Sequence, residues 1–180
     1  IKYGIIHDAE LFARLERDLG KLLKLDPKTL AEVVARCCEI KAQVVSQDET
    51  ESGLRAILNF GHTIGHALEA ISRYGKYLHG EAISIGQVAA AELSAALAGL
   101  PQIDVERITD LFRRAGLPTS VKLSKAQMKQ LFAAMRLDKK VSGGQIRFVL
   151  ARRIGEVAWG QLVPDELIRE TLDPQLSAID

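Results

Sequence analysis

Apolar residues recur three and four positions apart along most of this chain, the spacing that turns one face of an α-helix toward a core. Leu11, Phe12, Leu15, Leu19, Leu22 and Leu23 predict a helix over residues 7–25. Asp26-Pro27 breaks that run and opens the next, an Asp cap followed by Pro at the first helical position. Leu30, Val33, Val34, Cys37 and Ile40–Val44 carry this second helix to about residue 45. Polar residues 46–53 read as a connection. Further helical patterns cover residues 55–73, 80–100, 104–115 and 124–136, stopped by Gly99-Leu-Pro101 and Gly116-Leu-Pro118, with Ser124 as a cap. The period then shortens. Ser142-Gly143-Gly144 is a turn signal, residues 145–150 and 156–159 are short β-type runs that can pair as one hairpin, and Pro164-Asp165 opens a final short helix. The fold class expected is mainly α with one small β-hairpin.

Composition adds few constraints. The 180 residues are 47% hydrophobic and 26% charged, so the chain has the apolar surface to fold. Twenty-four basic against twenty-three acidic residues leave a net charge of +1. That balance argues against a protein built to coat nucleic acid or an anionic membrane. Residues 82–100 are apolar enough to invite a membrane reading, but Gln87, Glu92 and many Ala, Ser and Gly residues point to close helix packing instead. Cys37 and Cys38 are adjacent within a helical pattern and read as packing residues, not a disulfide or a zinc cage. No signal-peptide architecture opens the chain, which suggests a cytoplasmic protein. It begins on Ile1 and not Met, as a processed protein or a piece of a longer one would.

The chemistry concentrates in residues 53–69. Arg55, Asn59, His62, His66 and Glu69 follow one another at steps of four, three, four and three, which on a single helix makes one polar stripe among apolar neighbours. A solvated face would carry Lys and Glu, not Asn and two His. His62 and His66 have the i, i+4 spacing of a metal-chelating pair, but Thr63 occupies the place of the general-base Glu in the H-E-x-x-H protease motif, so a metalloprotease is disfavoured. His79, in Leu78-His-Gly-Glu-Ala82, is a third candidate ligand, or a cap of the following helix together with Glu81. Gly61 and Gly65 weaken the helix, which suggests that something approaches the backbone there. Lys2, Lys41, Lys139 and Lys140 add basic groups suited to a phosphate or carboxylate substrate.

At these residues the sequence strongly resembles the C-terminal domain of 3-dehydroquinate synthases. The matching strings are Lys2-Tyr-Gly, Lys41 through Asp48-Glu49 to Gly53-Leu-Arg55, Leu58-Asn-Phe-Gly-His-Thr63 with Gly65-His66, Leu78-His-Gly-Glu-Ala82, Asp138-Lys-Lys140 with Gly144, and Ile154-Gly-Glu156. They run in order along nearly the whole chain. The resemblance implies conversion of 3-deoxy-D-arabino-heptulosonate 7-phosphate to 3-dehydroquinate and phosphate, on the route to aromatic amino acids. It implies a divalent metal, Zn²⁺ or Co²⁺, and NAD⁺ as a recycled oxidant. By motif match, His62 and His79 would be metal ligands. His66, Asn59 and Lys2 would serve the reacting centre. Lys41, Arg55 and one of Lys139 and Lys140 would bind substrate. Members of the family are roughly double this length, and the N-terminal α/β domain that holds NAD⁺ has no counterpart here; no Gly-rich dinucleotide fingerprint occurs. The family's third metal ligand, a Glu three residues before the Lys matching Lys2, falls ahead of Ile1. The expectation is therefore one helical metal- and substrate-binding domain over 1–180, inactive alone and dimeric when whole. The alternatives are a related sugar-phosphate cyclase, a metal-dependent polyol dehydrogenase domain, and a non-catalytic helical module that binds a partner.

Overall fold

A computed structural model of the chain describes residues 1–49, 53–72, 76–138 and 146–173. Its elements are α1 (Lys2–Ile6), α2 (Ala9–Leu23), α3 (Pro27–Gln47), a 3-10 helix (Leu54–Asn59), α4 (His62–Ile71), α5 (His79–Ala98), α6 (Gln102–Arg114), α7 (Lys125–Asp138), β1 (Arg147–Arg153), β2 (Glu156–Leu162) and α8 (Asp165–Leu172). The class is the one expected, mainly helical with a single antiparallel hairpin that pairs Arg147 with Leu162 and Arg153 with Glu156.

Local chemistry sets most boundaries. Asp8 caps α2 by accepting from the Leu11 amide at 2.8 Å, and its other oxygen takes the Arg36 guanidinium at 2.7 Å. Asp26 caps α3 from the Thr29 amide at 2.9 Å, with Pro27 in the first turn. At the start of α7, Ser124 and Gln127 exchange bonds, the Ser124 hydroxyl accepting from the Gln127 amide and the Gln127 side chain accepting from the Ser124 amide. Two expectations need correction. A short helix, α1, precedes α2, which starts at Ala9 and not at residue 7. The run over 55–73 is not one helix: a 3-10 helix ends at Asn59, the chain turns at Phe60-Gly61, and α4 begins at His62.

The turn is possible because Gly61 adopts a left-handed conformation, φ +78°, which side-chain-bearing residues avoid. Its neighbour in space is α5. A Cβ on Gly86 would stand 2.1 Å from the Gly61 carbonyl oxygen, and one on Gly65 would stand 2.5 Å from the Ile83 Cδ1. The group that approaches the backbone at Gly61 and Gly65 is therefore the facing helix, not a ligand.

Helix α5 is the centre of the molecule. Ile57, Phe60, Val88, Ala90 and Ala91 join α1, α2, α3 and α6 in one apolar cluster, while Ile64, Leu68, Ile85 and Leu93 join α7, β1 and α8 in another. Ile57, Ile64, Leu68, Ile83, Val88 and Leu93 are buried, and Leu58 is half-buried and packs against the first cluster. Ser94 ties the hairpin to α5, accepting from the Ala151 amide at 2.8 Å while donating to the Ala90 carbonyl. Among the described residues no helix is long and apolar enough to cross a membrane, and α5, which invites that reading by sequence, is buried by protein on most of its surface.

Candidate metal and anion site

Three histidines meet where α4 and α5 begin. The ring centroids of His62 and His66 are 5.1 Å apart, and His79 lies 5.9 Å from each of them. His62 is the first residue of α4 and His66 stands one turn on; His79 opens α5. The close α4–α5 packing that Gly61, Gly65 and Gly86 permit is what closes this gap. Of the sequence stripe, His62, His66 and Glu69 thus come together with His79, while Arg55 and Asn59 sit before the turn on the 3-10 helix.

Each outer histidine has one nitrogen committed. His62 Nδ1 donates to the Phe60 carbonyl at 3.1 Å, since a carbonyl can only accept; Nε2 keeps its lone pair. Burial, the Lys2 ammonium and the neighbouring imidazoles push the His62 pKa down to about 4, against the bond to Phe60. At neutral pH this ring is uncharged. His79 Nδ1 sits 3.1 and 3.2 Å from the two carboxylate oxygens of Glu69. Its place at the helix start does not make it the cap; Glu81 fills that role, accepting from the Leu78 amide at 2.8 Å.

His66, Glu69 and His79 each offer a ligand atom within 4.8 Å of the others. Glu69 thus has two chemical options, direct ligation or holding His79 Nδ1 so that Nε2 faces inward, the carboxylate–histidine arrangement common around bound zinc. Sequence reasoning placed Glu69 on the stripe but gave it no role; its signal is the spacing of three from His66.

The basic groups converge on the same region. Lys2 Nζ donates to the Leu58 carbonyl at 2.9 Å, at the end of the 3-10 helix that carries Asn59. Burial and the nearby Lys41 ammonium hold the Lys2 pKa below the usual lysine range. Among the described residues neither lysine forms an ion pair with a carboxylate, and the Lys41 ammonium is near enough to Lys2 to repel it. An incoming phosphate or carboxylate would relieve that repulsion. Arg55 and Asn59 ride on the 3-10 helix between α3 and α4, both half-buried. The Arg55 guanidinium donates to the Glu49 carbonyl at 3.1 Å. Lys139 and Lys140 lie outside the described residues. A cavity of about 580 Å³ opens elsewhere, against Ile85, Glu92, Thr109, Val121 and Leu172, and contains none of the candidate residues.

Residues 1–141 match the family model described as 3-dehydroquinate synthase C-terminal. The chain belongs to this family. Relatives agree along nearly its whole length: 3-dehydroquinate synthase of Bordetella pertussis is 50% identical over 173 residues, 96% of this chain and 48% of that protein. The protein of the same name from Nitrosomonas europaea is 48% identical, over 96% of this chain and 46% of its own length. The chain therefore spans about half the length of the curated relatives it matches. Among solved structures, a 2-epi-5-epi-valiolone synthase from Streptomyces hygroscopicus with NAD⁺ and Zn²⁺ bound superposes with a TM-score of 0.85 at 25% identity, over 99% of this chain and 49% of that one. A 2-deoxy-scyllo-inosose synthase complexed with carbaglucose-6-phosphate, NAD⁺ and Co²⁺ gives 0.70 at 27% identity, over 81% of this chain and 42% of that one.

Proposed function

We propose that this chain is the metal- and substrate-binding half of a 3-dehydroquinate synthase, acting with an N-terminal NAD⁺-binding half in a cytoplasmic homodimer. The observation that carries the reading is the triad of imidazoles beside Lys2 and Lys41, with His62 held neutral and its Nε2 unspent. The two named relatives are 50% and 48% identical, against 25% and 27% for the two cyclase structures described, which favours dehydroquinate formation over the related cyclisations.

The donor set fits a borderline divalent ion. In this reading His62 and His79 are ligands through Nε2, Glu69 holds His79 Nδ1, and a further carboxylate comes from the other half. A bound Zn²⁺ or Co²⁺ supplies Lewis acidity toward substrate oxygens, and NAD⁺, held mainly by the other half, supplies the hydride acceptor. The chain's own residues do the rest. His66 and Asn59 present polar groups to the substrate hydroxyls. Lys2, Lys41 and Arg55 hold the carboxylate and phosphate of a phosphorylated sugar acid and stabilise the charge that grows as phosphate departs. One of Lys139 and Lys140 adds to that grip. Packing of α4 on α5 holds His62, His66, Glu69 and His79 together.

The test joins this chain to the N-terminal half of the Bordetella pertussis relative and measures phosphate release from the heptulosonate phosphate with NAD⁺ and Zn²⁺. Release by the joined protein, lost in His62→Ala and absent from the 180-residue chain alone, is the expected pattern. Release by the lone chain in proportion to protein, also lost in His62→Ala, would overturn the account of it as half an enzyme. A joined protein that folds, binds zinc and NAD⁺ and stays inactive would favour the non-catalytic reading.

A further inference from the structure

We propose that Asp48 is the positioning residue that sets Arg55 for anion binding; the inference rests on the reading of Arg55 as part of the substrate grip. Asp48 follows the last residue of α3, its amide bonded back to the Val45 carbonyl at 3.2 Å. The residue is only 8% exposed, an unusual place for a carboxylate unless several donors meet it. They do. The Oδ2 atom accepts from the Gly53 amide at 2.8 Å and from the Arg55 amide at 2.9 Å. One oxygen thus fastens the end of α3 to the first turn of the 3-10 helix, whose opening amides have no partner within a helix of their own.

Both ends of Arg55 are tied to the same two residues. Its amide is held by Asp48, and its guanidinium by the Glu49 carbonyl at 3.1 Å. The guanidinium still has further N–H groups to offer an anion. Arg55 and Asn59 share the 3-10 helix, which the turn at Phe60-Gly61 joins to His62, so the carboxylate anchors the start of the segment that leads to the histidines. Charge–charge attraction alone would not require burial, nor bonds to main-chain amides. The arrangement is that of a carboxylate placed to hold backbone, with the cationic head left for the ligand.

The experiment uses the 180-residue chain with inorganic phosphate and Zn²⁺ as separate probes, and compares Asp48→Ala, Asp48→Asn and Arg55→Ala. Asp48→Ala should weaken phosphate binding by about tenfold, the loss expected when charge-assisted bonds that hold a group are removed. Asp48→Asn should restore it to within about threefold, because an amide oxygen can accept from the same two N–H groups. Zinc binding, which rests on the histidines, should not change. Amide hydrogen exchange gives a readout free of any ligand: the Arg55 amide should exchange about tenfold faster in Asp48→Ala and stay protected in Asp48→Asn. Unchanged exchange at Arg55 in Asp48→Ala would overturn the proposal. So would wild-type phosphate affinity in Asp48→Ala alongside a clear loss in Arg55→Ala. Equal phosphate binding by Arg55→Ala and wild type would instead sink the reading of Arg55 on which it rests, and the proposal with it. Parallel loss of zinc and phosphate in Asp48→Ala would mark a general folding role and would also overturn it.

Discussion

His62 shows how much one side chain can be prepared by its surroundings. A free imidazole near neutrality is a mixture of charged and neutral forms. Here burial, the Lys2 ammonium and two further imidazoles favour the neutral ring, and the Phe60 carbonyl takes Nδ1–H, which fixes the tautomer with Nε2 open. The consequence for stability follows from the sign of the shift. The folded-state pKa, about 4, lies below the ordinary 6.5, so the unfolded chain takes up a proton first as pH falls. The stability tied to the neutral ring is fully present above about pH 6.5 and drains away toward pH 4. Urea unfolding at a series of pH values should show this decline without added metal. In His62→Gln the slope through that window should flatten; an unchanged slope would mean that His62 is not the titrating group.

At the scale of elements, the α4–α5 contact determines whether the histidines meet at all. Gly86 lies against the Gly61 carbonyl so closely that a Cβ there would be 2.1 Å from the oxygen, and both partners are backbone. Gly86→Ala should therefore cost roughly 1–3 kcal/mol, read from the urea midpoint, as overpacking does in a tight core. Leu68→Ala removes a fully buried side chain from the adjoining cluster and should cost roughly 2–5 kcal/mol. A cost near zero for either would contradict the packing described. Much of this layer is legible in the sequence. Asp8, Asp26 and Ser124 act as caps because their side chains have local main-chain donors to satisfy, and such bonds are set within a few residues. The break at Phe60-Gly61 is harder to read. The polar residues on either side keep helical spacing across it, and only Gly61 hints at a left-handed turn. The roles of Asp48 and Glu69 are hidden for another reason: their partners, the Gly53 and Arg55 amides for one and His79 for the other, are fixed by tertiary placement and not by period. His62, His66 and His79 are found because few structural duties explain three histidines in so short a stretch.

For the molecule as a whole, the matched relatives are about twice as long as this chain, and the site described here has the character of one wall. Its histidines offer two or three ligands where a catalytic zinc usually has three from protein, and the Lys2 and Lys41 ammonium groups lie near each other beside them. The central claim is that this wall is a metal site completed by the other half. The most direct measurement is zinc affinity, by competition with a chelator, for the 180-residue chain and for the same chain joined to the N-terminal half of the Bordetella pertussis relative. The account predicts weak binding by the chain alone, at least about a hundredfold tighter binding by the joined protein as a further carboxylate is supplied, and loss of binding in both with His62→Ala. Equal affinity with and without the N-terminal half, or zinc binding indifferent to His62→Ala in a folded chain, would contradict it.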